Sequence, residues 1–253
     1  MLRKKIKIFL VFILLITVSG GIFVLTNRTE APSLTATKQK TTTVKNTPAE
    51  TTTVAKPVFD KKARSIDDPV SSWVVVNKAR PLNPVSYAPT DLTNIGSGHQ
   101  LRAEAAAALA NMQNAASAEG LTVSAQSGYR SYTTQISVYN NEVKKNGQAV
   151  ADSQSARPGT SEHQTGWAVD VGGGGCGIED CFGNTAEGKW VADHAYEYGF
   201  IIRYTAASQQ VTGYRAEPWH LRYIGTDLSH ELYKENIQTL EAFFGLPDAP
   251  DYL

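Results

Sequence analysis

The chain has 253 residues, with 24 basic and 24 acidic side chains, so its formal net charge is zero. Proteins that bind nucleic acid usually carry a basic excess, and this balance argues against that class. Because 42% of the residues are hydrophobic and only 19% are charged, the composition also argues against a wholly disordered chain. The two cysteines are too few for a disulfide-stabilised scaffold.

The charges are unevenly distributed along the chain. Residues 1–64 contain 12 basic and 3 acidic side chains, for a net charge of +9, whereas residues 65–253 contain 12 basic and 21 acidic ones, for a net charge of −9. The chain is therefore interpreted as a basic leader joined to an acidic body.

An uncharged, mostly apolar segment occupies residues 8–27, directly after a short basic stretch. Such a segment is long enough to cross the roughly 30 Å hydrocarbon layer as a helix. The positive-inside rule keeps residues 1–7 in the cytoplasm and puts everything after Asn27 outside the cell. We therefore predict a single-pass signal-anchor in the cell membrane. The alternative is a signal peptide cleaved near Val18 and Gly20, which would make the protein secreted.

Residues 28–64 are rich in Thr, Lys, Ala and Pro and show no apolar periodicity. A segment of this composition buries too little apolar surface to offset the entropy lost on ordering. It is predicted to be a disordered linker that holds the body, residues 65–253, away from the membrane.

Helix and strand patterns alternate along the body. Residues 101–120 are predicted to form an Ala-rich helix that ends at a glycine, and residues 121–127 alternate apolar and polar side chains as a strand does. A second helix is predicted over 131–147, followed by a loop over 148–162 and a short strand over 167–171.

The remaining elements follow in the same manner. A third helix is predicted over 185–199, strands over 200–205 and 219–225, and a C-terminal helix over about 227–244. Together the patterns predict an α+β fold with a small, mainly antiparallel sheet flanked by helices.

Three short stretches contain the residues that indicate chemistry: SGYRSYTTQ, SEHQTGWAVDV and EPWHLRY. Two histidines and one carboxylate, His163, His220 and Asp170, form a ligand set typical of catalytic zinc. A metal site that activates water also needs a base nearby, and Glu217 precedes His220 by three residues. Pro218 disfavours a helical conformation at Glu217, so we expect this residue at a bend on the edge of the sheet.

His163 and Asp170 cannot share a metal on one straight strand. Seven residues of extended chain would separate them by about 23 Å and put them on opposite faces. The chain must therefore turn between them, and Gly166 supplies the conformational freedom for that turn.

The three stretches resemble the signatures of the bacterial zinc D-alanyl-D-alanine carboxypeptidases of the VanY type, over roughly residues 82–245. The resemblance implies Zn²⁺ on His163, Asp170 and His220, with Glu217 as general acid and base. It also implies that the substrate-binding residues are Arg130, which also takes part in catalysis, Gln135, Ser161 and Tyr204. The implied substrates are peptidoglycan stem peptides that lose a C-terminal D-alanine.

Several alternatives stay open from the sequence. Both D,D and L,D enzymes carry these motifs, and the anchor together with Tyr204 slightly favours the L,D reaction on resemblance alone. A non-catalytic wall-binding module and a peptidoglycan endopeptidase are the alternative functions. Cys176 and Cys181 are predicted to form a disulfide if the body lies outside the cell, whereas in a cytosolic protein their spacing could indicate a metal site.

Overall fold

The structure is a computed structural model, and it describes residues 58–253. The predicted anchor at residues 8–27 and the predicted linker up to residue 57 lie outside the described residues. In the described part of the chain, no helix is both long enough and apolar enough to cross a membrane.

The body consists of short helices packed around one four-stranded sheet and one two-stranded sheet. The helices are α1 (Ala103–Ala118), α2 (Tyr132–Asn146), α3 (Gln148–Gln154), α4 (Ala186–His194), α5 (Gln209–Thr212), α6 (Thr226–Glu235) and α7 (Leu240–Phe244). The strands are β1 (Leu92–Asn94), β2 (Gln100–Arg102), β3 (Ser124–Ser127), β4 (Ala168–Gly172), β5 (Phe200–Tyr204) and β6 (Glu217–Tyr223). β1 pairs with β2, and the larger sheet has the order β3-β4-β6-β5 with every neighbouring pair antiparallel. The predicted α+β fold with a small antiparallel sheet is confirmed.

The prediction of a loop over residues 148–162 is wrong for its first half, where the chain forms α3. Gly147 ends α2 with a φ of +81°, and the chain resumes a helix at the next residue. Ala151 is fully buried, and the Tyr139 hydroxyl on α2 donates a hydrogen bond of 2.7 Å to Asp152. The packing of α3 against α2 therefore stabilises a helix too short to show a clear periodicity in the sequence.

The single C-terminal helix predicted over 227–244 is also wrong, because the chain forms two helices there. Asn236 adopts a left-handed conformation with a φ of +53°, which ends α6. α7 then begins with its own cap, since the Thr239 side chain accepts a hydrogen bond of 3.1 Å from the Ala242 amide.

The alternation of side chains along the strands divides the four-stranded sheet into two chemically different faces. Val169, Val171 and Leu221 project from β4 and β6 into the main core, which also contains Leu109 and Met112 of α1. The residues between them in sequence project from the opposite face. That second face carries polar and charged side chains, which are described with the functional site below.

A second apolar cluster forms from the two ends of the described chain. Trp73 and Val75 pack there with Leu228 of α6 and Phe243 of α7. Phe59 stacks on Trp73 with a distance of 5.5 Å between ring centroids. The packed body therefore includes residues upstream of Ser65, the boundary expected from the sequence.

We expect Gly188→Ala to lower the free energy of unfolding by about 3 kcal/mol, at the upper end of the usual cost of overpacking. A Cβ atom at Gly188 would lie 1.9 Å from the Phe182 carbonyl oxygen, which is a backbone atom and cannot rotate away. Gly177→Ala is the matched control, because its Cβ would meet only the Gln126 side chain at 3.8 Å. Urea unfolding of both variants checks this, and equal stability of the two would contradict the packing assigned to α4.

Candidate metal centre and active-site cleft

The pairing of β4 with β6 brings two of the predicted metal ligands together. Asp170 lies directly opposite His220 in the antiparallel register, on the polar face of the sheet. Asp170 Oδ1 is 3.2 Å from His220 Nδ1, and Asp170 Oδ2 is 3.3 Å from His163 Nε2. One ligand atom from each of the three residues lies within 4.8 Å of the others, and all three residues are buried.

His163 reaches this position because the chain turns where the sequence requires it. It lies in a short 3-10 turn, Glu162–Thr165, which ends at Gly166 in a left-handed conformation with a φ of +74°. A Cβ atom at Gly166 would also lie 2.8 Å from the Arg102 side chain. β4 then begins two residues later, so the turn returns the chain to the sheet beside Asp170.

The three residues fit a divalent cation by the chemistry of their free atoms. His163 Nδ1 is 2.8 Å from the Gly128 carbonyl oxygen, so this nitrogen carries the proton and leaves the Nε2 lone pair towards Asp170. Asp170 Oδ1 is buried, and none of the described residues donates a hydrogen bond to it. Two imidazoles and one carboxylate with free lone pairs facing one point are the donor set that catalytic zinc uses.

The electrostatics of the three ligands differ. Burial alone would raise the pKa of Asp170, but the neighbouring His163 and His220 hold it well below its usual range. Burial lowers the pKa of His163, and the Arg130 charge adds to this effect. Burial would also lower the pKa of His220, yet the neighbouring carboxylates of Asp170 and Glu162 raise that pKa to about 9.

Glu217 and Arg130 flank the ligands. Glu217 is the first residue of β6, and its carboxylate lies 3.8 Å from His220 Nδ1. Burial raises the pKa of Glu217 to about 7, with a further contribution from the Asp170 charge. Arg130 immediately precedes Ser131, the N-cap of α2, and its backbone amide donates to the His163 carbonyl oxygen at 3.2 Å. Its side-chain Nε–H is buried and finds no acceptor among the described residues, which leaves this donor available to a ligand.

A cleft of about 660 Å³ contains the three ligands, Glu217 and Arg130. Of the other predicted substrate-binding residues, Ser161 and Tyr204 line this cleft. Gln135 does not, because it is buried behind the wall and donates a hydrogen bond of 2.7 Å to the Ala156 carbonyl oxygen. Its position supports the wall at Ala156, which does line the cleft.

Tyr204 occupies the ligand side of the sheet through a break in regular pairing. The register of β5 with β6 shifts between Ile202 and Tyr204, and such a shift reorients the following side chain. The ring of Tyr204 consequently lies 4.8 Å from the His220 ring. Its phenol pKa is raised well above the usual value, chiefly by burial.

One wall of the cleft is a loop that sequence reasoning did not connect with the site. Cys176 and Cys181 are joined in a disulfide, and Ile178 between them lines the cleft. Asp180 in the same loop forms an ion pair of 2.9 Å with Arg215. The guanidinium of Arg215 in turn lies over the Trp219 ring, so these contacts connect the loop to β6, the strand that carries His220.

Sequence reasoning also missed a group of buried charges behind His220. Glu162 Oε2 is 3.2 Å from His220 Nε2, and the guanidinium groups of Arg203 and Arg222 contact the same carboxylate. The sequence HLRY could have indicated these buried charges, because the alternation of side chains along a strand puts Arg222 on the same face as His220. A charged residue at that inward position requires a buried partner.

Comparisons with known proteins agree with this geometry. The family model of the VanY D-alanyl-D-alanine carboxypeptidases matches residues 98–226. The protein YodJ of Bacillus subtilis is 42% identical over 191 residues, which are 71% of this chain and 69% of YodJ.

Two solved structures give the same result in three dimensions. The LD-carboxypeptidase LdcB superposes with a TM-score of 0.64 at 42% identity, over 70% of this chain and 87% of LdcB. A variant of the vancomycin-resistance D,D-pentapeptidase VanY, solved in complex with Zn(II), superposes with a TM-score of 0.61 at 29% identity, over 68% of this chain and 98% of VanY. Since the family model covers half of the chain and the identity to YodJ extends beyond it, the chain belongs to the VanY family of D-alanyl-D-alanine carboxypeptidases.

Proposed function

We propose that this protein is a zinc carboxypeptidase that removes the C-terminal D-alanine from peptidoglycan stem peptides, with the L,D bond of tetrapeptide stems as its main substrate. The observation that carries the proposal is the convergence of His163, Asp170 and His220 with Glu217 and Arg130 in one cleft. A pure wall-binding module would need neither a buried carboxylate beside the ligands nor a desolvated guanidinium. The preference for the L,D bond is supported by the higher identity to LdcB, at 42%, than to the D,D enzyme VanY, at 29%.

His163, Asp170 and His220 would hold Zn²⁺, which supplies Lewis acidity that lowers the pKa of water and polarises a carbonyl. Glu217 accepts a proton from the attacking water at its carboxylate and then donates it to the nitrogen of the leaving D-alanine. Arg130 donates hydrogen bonds to the oxygen on which negative charge develops. The three ligands and Glu217 are buried and Arg130 is partly buried, which strengthens each of these interactions.

We also propose that residues 8–27 anchor the protein in the cell membrane and that residues 28–57, upstream of the packed body, link the anchor to an extracellular enzyme. The basic residues before the apolar segment and the location of peptidoglycan outside the membrane support this arrangement. The disulfide between Cys176 and Cys181 agrees with an oxidising compartment.

The proposed anchor predicts that the full-length protein fractionates with membranes. It also predicts that protease added to protoplasts, whose cell wall has been removed, releases residues 65–253 from the cell surface. Mass spectrometry of the membrane-bound protein should find residues 1–27 still attached. A mature protein in the medium that begins shortly after Gly20 would instead identify a cleaved signal peptide.

Asp170→Ala should weaken zinc binding by more than about 100-fold, because the loss of a direct ligand exceeds the usual effect of losing an outer partner. The measurement is a zinc titration of the full chain in detergent against a competing chelator. Asp193→Ala is the control, since Asp193 is an exposed residue of the same type on α4. Unchanged zinc affinity in Asp170→Ala would remove Asp170 from the ligand set.

The proposed reaction predicts release of D-alanine from purified tetrapeptide stems by the zinc-loaded full chain, with the activity lost in a chelator and restored by zinc. Pentapeptide stems should be cleaved more slowly. Mass spectrometry identifies the residue that leaves. Faster cleavage of the pentapeptide would contradict the L,D preference, and cleavage of neither stem would contradict the enzyme itself.

Glu217→Gln provides the matched variant for that experiment. It should retain zinc and lose turnover by a factor of about 10³, within the range for removal of a general acid–base. The reason is that the amide keeps the size of the side chain but cannot accept the proton of water. Wild-type turnover in this variant would exclude Glu217 from the reaction.

A further inference from the structure

Four fully buried charged residues lie behind the metal ligands on the polar face of the sheet. They are Glu162, Arg203, Arg222 and Glu241, here called the buried quartet. Two carboxylates and two guanidinium groups balance in charge, so the quartet as a whole is neutral. A buried charge that loses its partner is strongly destabilising, and each member therefore depends on the others.

Glu162 is the member that contacts a metal ligand. Its Oε1 accepts hydrogen bonds from Arg203 Nε at 2.9 Å and Arg222 Nη1 at 3.0 Å. Its Oε2 is left to accept from His220 Nε2 at 3.2 Å. Both guanidinium groups can only donate, so the carboxylate that they contact acts as the acceptor. The nitrogen of His220 that faces Oε2 of this acceptor is therefore the one that carries a proton.

We propose that Glu162 is a positioning residue that fixes His220 with its proton on Nε2 and its Nδ1 lone pair directed at the metal. The proposal rests on the proposed function in one respect, namely that His220 holds zinc. A ligand histidine whose second nitrogen donates to a carboxylate is held in one tautomer and one ring orientation. Here two arginines fix the orientation of that carboxylate in turn.

The arginines are themselves held by segments outside the region matched by the family model, residues 98–226. Arg222 Nη2 donates to the carbonyl oxygens of Ser72 and Val74, both at 2.9 Å. Arg203 donates two hydrogen bonds to Glu241 of α7, at 3.1 and 2.6 Å. Asn77 also donates to Glu241, at 2.9 Å. Both ends of the described chain thus contribute to the orientation of His220.

The test is Glu162→Gln in the full chain, compared with wild type by zinc titration against a chelator. The glutamine side chain has one acceptor oxygen, whereas the glutamate carboxylate receives three donors, from Arg203, Arg222 and His220. The N–H group of the amide must therefore face another donor, either an arginine or the Nε2–H of His220. We expect the zinc dissociation constant to rise about 10- to 100-fold. Glu241→Gln is the control, because it removes the same buried charge from the quartet but acts on His220 only indirectly, through Arg203 and Glu162. It should change zinc affinity by at most a few-fold.

Two results would overturn the proposal. One is wild-type zinc affinity in Glu162→Gln, and the other is an equal loss of affinity in Glu241→Gln, which would indicate a general loss of structure. Failure of the proposed function is distinguishable, because a wild-type protein that binds no zinc contradicts that function before any variant is compared.

A measurement on the wild type keeps the proposal testable if Glu162→Gln does not fold. In zinc-loaded protein with ¹⁵N-labelled histidine, the His220 ring should show a protonated Nε2 in a strong hydrogen bond and an unprotonated Nδ1. A proton on Nδ1 and a free Nε2 would contradict the role of Glu162 directly.

Discussion

The register of β4 against β6 is the constraint on which the site depends. It places Asp170 opposite His220, and a slip of one residue would move one of the two side chains into the apolar core. The core itself prevents that slip, because Val169, Val171 and Leu221 fill the other face of the same strands. Packing on one face of the sheet thus fixes the positions of the chemical groups on the other.

The polar face of the sheet buries charged groups, and the rest of the fold has to compensate for the free-energy cost of that burial. Asp170, His220 and Arg222 are almost completely removed from water, and buried charges are costly unless they are paired. Hydrogen bonds and ion pairs satisfy most of them, through Glu162 and the two ends of the described chain. Among the described residues, three of the buried side-chain atoms without a partner belong to residues that line the cleft, namely Asp170 Oδ1, Arg130 Nε and Arg215 Nε. The other three, Gln135 Oε1, Gln164 Oε1 and Trp167 Nε1, belong to residues that do not line it. Asp170 and Arg130 thus keep free polar atoms where a metal and a substrate would bind.

The structure brings together most of the site residues that the sequence singled out, whereas it differs from the sequence-based prediction in some of the elements around them. Short motifs specified His163, Asp170 and His220, and the need for a turn at Gly166 followed from strand geometry alone. The sequence did not predict α3, since the stability of this short helix comes from packing on α2. It also did not predict the break at Asn236, because this break depends on a left-handed residue other than glycine. The sequence also did not predict that Gln135 lies behind the wall of the cleft, because the position of a residue on a helix does not show how deeply its side chain is buried by neighbouring elements.

The resemblance assigns the motifs of the ligands, Glu217 and Arg130 to D,D and L,D enzymes alike, so we expect the difference between the two reactions to lie in the walls of the cleft. One wall contains Val150 and Gln154 of α3, and the disulfide loop contributes Ile178. Neither wall belongs to the four-stranded sheet that carries Asp170 and His220. The Asp180–Arg215 ion pair and the Cys176–Cys181 bond hold the loop wall in place. The proposed metal ligands therefore lie on the sheet and on the turn before it, whereas these two walls lie on other elements of the same domain.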